Sequence, residues 1–292
     1  VTTWGVVATV LAPEAQVLAF ARHHLALGAA RVWLHFDDPG DPAAEAAAAL
    51  PGVRAIRCDA AHWQALAGGR PDKHQARQSR NARRIYNRCR VGWLAHLDVD
   101  EFLLPASPVT ETLAAAPPDA PLLRAAPWEA LHDPAVTAGP FPARHFRAVL
   151  KGDRYGPLRA ALFGRYAPLL PEGTLSHSAG KCFFRTGIPG LVPRIHSAFL
   201  NGERLHGAAA DSGIPLLHFH AHDPAAWRDR LAFRLTRGAY GFRPDLAAFL
   251  SAATPAMIDD FYATVQTARP AALAALGTAG ALIESDIGCA PA

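Results

Sequence analysis

The sequence predicts an α/β fold with a mixed sheet flanked by helices, and three observations predict it. Short apolar runs alternate with helical patterns through the first hundred residues. The chain is 292 residues long, ample to bury a core without disulfide staples. An acidic cluster closes the fourth apolar run, where the loops of such a sheet bind ligands.

The elements follow in order. Val6 to Leu11 is a β-branched run suited to a buried strand. Ala12 to Leu27 has core-spaced positions at Val17, Phe20, Ala21, His24 and Leu25 ahead of Gly28, which reads as a helix and its stop. Val32 to Phe36 is a second strand, ending in the turn Asp37-Asp38-Pro39-Gly40-Asp41. A short Ala-rich helix, a third strand from Val53 to Cys58, a helix from Lys73 to Arg90 and a fourth strand from Gly92 to Leu97 complete the series. Further on, Phe141 to Val149, Leu158 to Tyr166, Lys181 to Arg185 and Ile214 to His220 read as strands, with Pro105 to Pro142 broken by prolines. Asp223 before Pro224 starts a helix running to about Arg237, and helical stretches follow from Pro255 to Thr267 and from Pro270 to Leu276. The expected organisation is one α/β domain over 1–222 with a helical C-terminal extension of that domain over 223–292.

Composition narrows the class. With 50% hydrophobic and 18% charged residues, disorder, collagen and coiled coil are excluded. Cys58, Cys89, Cys182 and Cys289 form no CxxC pair, so reduced thiols are expected rather than a disulfide scaffold or zinc ribbon. No run of 18 uncharged apolar residues and no signal-peptide pattern occurs, which predicts a soluble, cytoplasmic protein, with peripheral contact at the inner face of the membrane as its one membrane association. A net charge of +4 suits an anionic small molecule or an anionic membrane surface at least as well as nucleic acid. No aromatic interleaving or groove-binding motif accompanies the basic helix, so no nucleic-acid partner is expected.

The most informative segment is Trp93-Leu94-Ala95-His96-Leu97-Asp98-Val99-Asp100-Glu101-Phe102. Three carboxylates within four positions repel one another unless a cation or hydrogen-bond donors compensate. A divalent metal with oxygen ligands is the natural compensation. In an extended segment Asp98 and Asp100 point to one side, so one can bind the ion while the other reaches a metal-bound water or a ribose hydroxyl. Lys73, Arg77, Arg80, Arg83, Arg84, Arg88 and Arg90 make the preceding helix basic, and its N-terminal part, hence Lys73 and Arg80, is expected to face phosphates.

Asp98-Val99-Asp100-Glu101-Phe102 resembles the DxD motif of GT-A glycosyltransferases in the form found in family 2-like and family 92-like enzymes. Other pieces resemble that family in order: Glu14 and His24-Leu25-Ala26-Leu27-Gly28 after the first strand, Asp37-Asp38-Pro39-Gly40 after the second, Ser79-Arg80-Asn81-Ala82 before the DxD strand, Lys181 and Arg185 running to His196, and His218-Phe219 ahead of Asp223. Pro13, Pro39 and Trp128-Glu129-Ala130-Leu131 depart from its usual pattern. The resemblance implies a Rossmann-like nucleotide-diphospho-sugar transferase using Mn2+ or Mg2+, a UDP-sugar donor and a glycan or glycolipid acceptor in surface polysaccharide synthesis, with inversion at the anomeric carbon. It implies Asp37 and Asp38 at the nucleotide, Lys73, Arg80, Asp98 and Lys181 at the donor, and Asp98, Asp100 and His196 at the metal. Glu129 is the expected base for the acceptor hydroxyl.

Two other readings compete. His218, His220 and His222 alternate through one segment and could hold zinc for a hydrolase. A non-catalytic nucleotide-sugar-binding module would keep the same fold without turnover. Ala67-Gly68-Gly69-Arg70 and Thr186-Gly187-Ile188-Pro189-Gly190 fit neither GxGxxG nor Walker patterns, which removes dinucleotide oxidoreductases and P-loop enzymes.

Overall fold

The computed structural model describes residues 2–205 and 210–289. Its described residues form two compact units, one from 2–126, 179–205 and 210–216, the other from 127–178 and 217–289. The division does not follow the expected line at 222/223: the helical C-terminal stretch is packed together with 127–178.

In the first unit the chain runs β1 (Trp4–Val10), α1 (Glu14–Ala26), β2 (Arg31–Phe36), α2 (Ala43–Ala48), β3 (Val53–Arg57), α3 (Ala60–Ala67), α4 (His74–Tyr86), β4 (Trp93–His96), β5 (Glu101–Leu103) and α5 (Val109–Ala114). β1 pairs in parallel with β2 on one side and β4 on the other, and β2 pairs in parallel with β3. The order β3-β2-β1-β4 therefore reverses its direction of growth between β1 and β4, which is the switch point where doubly wound sheets bind ligands beyond their strand ends. Local chemistry sets the loops there. The Asp59 carboxylate caps α3 by accepting from His62 N at 2.7 Å. Gly68 ends the same helix in the left-handed region, at φ 70°, where a side chain is disfavoured. Ala82, Ile85 and Tyr86 of α4 pack with Val7 and Leu94 of the sheet.

β6 (Leu122–Ala130) runs through the boundary between the units. Pro127 interrupts its sequence and falls between two of its ladders. Leu122 to Ala125 pair antiparallel in the first unit and Trp128 to Ala130 pair antiparallel in the second, so neither ladder needs a donor at position 127. The second ladder is made with β7 (His145–Ala148). The run Leu158 to Tyr166, expected as a strand, is instead α6 (Gly156–Phe163) and a 3-10 turn. Pro157 in its first turn and the good helix formers that follow decide that outcome.

The chain then returns to the first unit through β8 (Lys181–Arg185), β9 (Leu191–Pro193), β10 (Ala198–Leu200), β11 (Glu203–Arg204) and β12 (Ala210–His218), whose last two residues belong to the second unit. β8 is antiparallel to β4 and to the first half of β6, making the sheet mixed. The second unit closes with α7 (Pro224–Asp229), α8 (Leu231–Thr236), α9 (Pro244–Ala252), α10 (Pro255–Val265), α11 (Pro270–Thr278) and β13 (Leu282–Glu284), the last antiparallel to β7. The helix expected over 223–237 is two, broken at Arg230, and Asp223 caps the first by accepting from Ala225 N and Ala226 N. Aromatic residues, among them Phe163, Tyr166, Trp227, Tyr240 and Phe261, fill this unit's core. Among the described residues no helix is long and apolar enough to cross a membrane, and all four cysteines are free.

Candidate functional site

One face of α4 organises the switch point. His74, Arg77, Gln78 and Asn81 recur at i, i+3, i+4 and i+7, so they share a stripe. Arg77 is buried and grips Asp37, at the end of β2, with Nε and Nη2 each 2.8 Å from a carboxylate oxygen. It also donates to the carbonyls of Pro71 and Asp72, pinning the loop ahead of the helix. Gln78 donates to Oδ1 of Asp98, beyond β4, at 2.5 Å. Asn81, fully buried, donates to Thr9 Oγ1 and pairs with the His62 ring, each at 3.0 Å. Two successive residues of a single helix thus brace two acidic strand ends. Those ends flank β1, so they lie two strand spacings, about 10 Å, apart.

Asp98 is held from its other side as well. The fully buried ammonium of Lys181, the first residue of β8, lies 2.6 Å from Asp98 Oδ2 and 3.4 Å from Glu101 Oε2. Burial pulls that ammonium's pKa down, but Asp98 and then Glu101 outweigh it and leave it raised. Glu101 Oε2 also accepts the backbone N–H of Asp98, which fixes the turn between β4 and β5. Beneath the turn, burial and then the Lys181 charge hold the His96 imidazole down to about 4, so it is neutral at physiological pH.

A cleft of about 550 Å³ opens beside Asp37 and is lined by Asp38, Pro39, Cys58, Trp63, Gln64 and Arg70 among others. Asp38 Oδ1 accepts from Gly40 N at 2.8 Å, an Asx turn that shapes the rim. Arg70 reaches Asp37 Oδ2 at 2.8 Å from the solvent side. The Cys58 thiol is pushed up to about 12, by burial and then by Asp37, which makes it inert as a nucleophile.

Of the residues singled out in the sequence, Asp37, Asp38, Asp98 and Lys181 come together in the first unit around this cleft and turn. Asp100 is half-buried in the turn itself. Lys73 and Arg80 are exposed whereas Arg77 is buried, so the cation of that helix that reaches Asp37 is Arg77. The helical spacing of 74, 77, 78 and 81 is the signal that marks it. His196 turns its Nδ1 to Gly180 O at 2.7 Å. Among the described residues Asp98, Asp100 and His196 do not bring one ligand atom each within 4.8 Å of one another, so they form no preassembled metal cage.

Two expectations in the second unit are corrected. Glu129 is buried and both its oxygens are committed: Oε2 accepts from Arg147 at 2.7 Å and Leu175 N at 3.1 Å, and Oε1 accepts from Ser176 N at 2.6 Å. That is a core ion pair, not a carboxylate facing an acceptor. The zinc reading of His218, His220 and His222 fails on their surroundings. The His220 ring meets the Tyr240 hydroxyl at 3.2 Å and the Arg234 guanidinium, whose positive charge opposes a metal ion there. His222 Nδ1 donates to Phe219 O at 3.0 Å, and the three rings form no common ligand cluster among the described residues. Burial, and then Arg234, hold His220 well below the usual imidazole range.

No family model and no curated protein matches the chain. Among solved structures it is similar to the CMP:2-keto-3-deoxy-manno-octonic acid synthetase complexed with CTP, at 14% identity over 97% of this chain and 88% of that chain, with a TM-score of 0.30. A likeness at that score carries no argument about function, and the fold class rests on the chain's own sheet order.

Proposed function

We propose that the protein is a metal-dependent glycosyltransferase that moves a sugar from a nucleotide diphosphate sugar, a UDP-sugar, to a glycan or glycolipid acceptor. The observation that carries this reading is the pair Arg77 and Gln78, which braces Asp37 and Asp98 at the switch point of the sheet. Their separation is on the scale of a nucleoside diphosphate, with the cleft at one end and the acidic turn at the other. The sequence resemblance of Asp98 to Phe102 supplies the reaction class.

The donor set of the turn suits a hard divalent cation. Asp98, Asp100 and Glu101 set three carboxylates within four positions, and oxygen donors of that kind suit a hard cation. The resemblance to the DxD motif implies that Asp100 would be the direct ligand, while Asp98, already held by Gln78 and Lys181, would serve the ribose or a metal-bound water. When bound, Mn2+ or Mg2+ would offset the charge of the departing diphosphate. Arg77 and Arg70 fix Asp37 at the wall of the nucleotide cleft. Lys181 holds Asp98 in one rotamer, so the carboxylate is oriented before the donor arrives. Glu129 takes no part in proton transfer on this reading, and His196 would act only as a neighbour of the turn.

The test is a thermal-shift screen of UDP, GDP, dTDP and CMP sugars, each with and without manganese, followed by assay of nucleotide release. A ligand that binds the folded state raises its melting temperature by mass action. A manganese-dependent shift with a UDP-sugar, and release of UDP when an acceptor is supplied, are expected. A shift without release under any acceptor would favour the binding-module reading, and no shift with any donor would overturn the proposal.

A further inference from the structure

Among the described residues of the first unit, Leu11 is the one large hydrophobic side chain left exposed, and it stands at the switch point. It is 67% exposed and is the first residue past β1, the strand between the Asp37 and Asp98 ends. Register fixes its height. Val10 pairs with Phe36, and Val10 O accepts from Asp37 N at 2.9 Å, so Leu11 comes level with Asp37. Parity fixes its side. Val7 shares a core cluster with Ala82 and Ile85 of α4, and Thr9 Oγ1 accepts from Asn81 of the same helix. Leu11, two residues further, continues that alternation toward α4. The helix descends from Asn81 to Ile85 as the strand descends from Thr9 to Val7, so the turn with Arg77 and Gln78 lies at the level of Leu11. The loop that holds it is stiff: Pro13 O accepts from Gln16 N and Val17 N, and Pro13 confines Ala12 to extended conformations.

Isolated exposed leucines are common on protein surfaces, but this one differs in its company. Asp37, Arg77, Gln78 and Asp98 around it are polar and tied to one another, so they offer a ligand charge and hydrogen bonds but no apolar contact. A nucleoside needs such a contact, because the carbon-bound hydrogens of its ribose and the face of its base shed water on binding. On the donor reading of this site, the base lies in the cleft by Asp37 and the diphosphate at the acidic turn, so the ribose is what crosses β1 between them. We infer that Leu11 is the apolar seat of the donor nucleoside, covered by its ribose when the nucleotide binds. The inference rests on the glycosyltransfer reading of the same site and adds to it the residue that aligns nucleoside with diphosphate.

Isothermal titration of UDP into wild type, Leu11→Ser and Leu11→Met, each with and without manganese, tests it. Leu11→Ser should weaken UDP binding about tenfold in both conditions and keep the gain that manganese brings, because the contact is to the nucleoside. Leu11→Met, of similar size and apolarity, should stay within about twofold of wild type. Both variants should keep the wild-type melting temperature, because the side chain is exposed. Leu11→Ser that binds UDP like wild type would overturn the inference and leave the donor reading standing. So would Leu11→Ser that loses only the manganese gain, or Leu11→Met that binds as weakly as Leu11→Ser. Wild type that binds no UDP in either condition would remove the donor reading, and this inference with it.

Discussion

The ammonium of Lys181, fully buried, lies 2.6 Å from Oδ2 of Asp98, a residue 83 positions earlier in the chain. The contact follows from register. β8 runs antiparallel to β4, with Trp93 opposite Arg185 and Ala95 opposite Phe183, so the start of β8 arrives beside the end of β4. Removing one partner of a buried pair strands the other's charge. Lys181→Met is expected to destabilise the fold by about 3 kcal/mol in urea unfolding. Adding Asp98→Asn should return part of that loss, and strictly additive effects of the two changes would argue against a coupled pair.

The two arginines on Asp37 are not equivalent. The side chain of Arg77 is 11% exposed and bidentate, whereas that of Arg70 is 50% exposed and makes one contact. Arg77→Met is expected to cost about 3 kcal/mol, and Arg70→Met less than about 1 kcal/mol. Equal costs in chemical denaturation would contradict the difference in burial.

Glu129 ties Arg147 to the backbone of Leu175 and Ser176 inside the second unit. Glu129→Gln keeps the shape but loses the charge that Arg147 requires, and is expected to lower stability by about 2 kcal/mol or more. If Glu129 were instead the acceptor's base, the same variant would keep its denaturation midpoint and lose turnover selectively.

Acid should destabilise the protein through buried imidazoles. Burial, and then the neighbouring His62, hold His35 down to about 3, and burial with Lys181 holds His96 down to about 4. Above the ordinary value of 6.5 neither the folded nor the unfolded chain protonates these rings, so they impose no penalty. As pH falls below it, only the unfolded chain takes up the protons, and stability drops by about 1.4 kcal/mol per pH unit for each ring. The loss from His96 ends near pH 4 and that from His35 near pH 3. Urea unfolding between about pH 7 and pH 5 should show this slope, and His35→Phe should flatten it by about 1 kcal/mol per unit. An unchanged slope would refute the neutral assignment of His35.

Much of the first unit was legible because strands of a buried parallel sheet read as unbroken apolar runs, as in Val6 to Val10 and Val32 to Phe36. β6 was not, because Pro127 argues against a strand until its place between two ladders is known. Leu158 to Tyr166 has too little periodicity to separate strand from helix, and the helix-opening signal at Gly156-Pro157 lies just before it. At the site, the acidic turn announced itself by composition. Position in the N-terminal part of the helix pointed to Lys73 and Arg80, whereas the 3.6-residue period sets Arg77 and Gln78 on one stripe with His74 and Asn81. Glu129 looked like a loop carboxylate because its partner Arg147 lies in a strand that pairing, not local sequence, sets beside it.

The central claim is that the acidic turn takes a divalent cation with a nucleoside diphosphate, and that Asp100 is its ligand. Isothermal titration of UDP into wild type and Asp100→Asn, each with and without manganese, tests it most directly. The account predicts that manganese tightens UDP binding to wild type by at least about tenfold, and that Asp100→Asn loses this gain while keeping its melting temperature. An Asp100→Asn protein that still binds UDP more tightly with manganese, to the same degree as wild type, would contradict it.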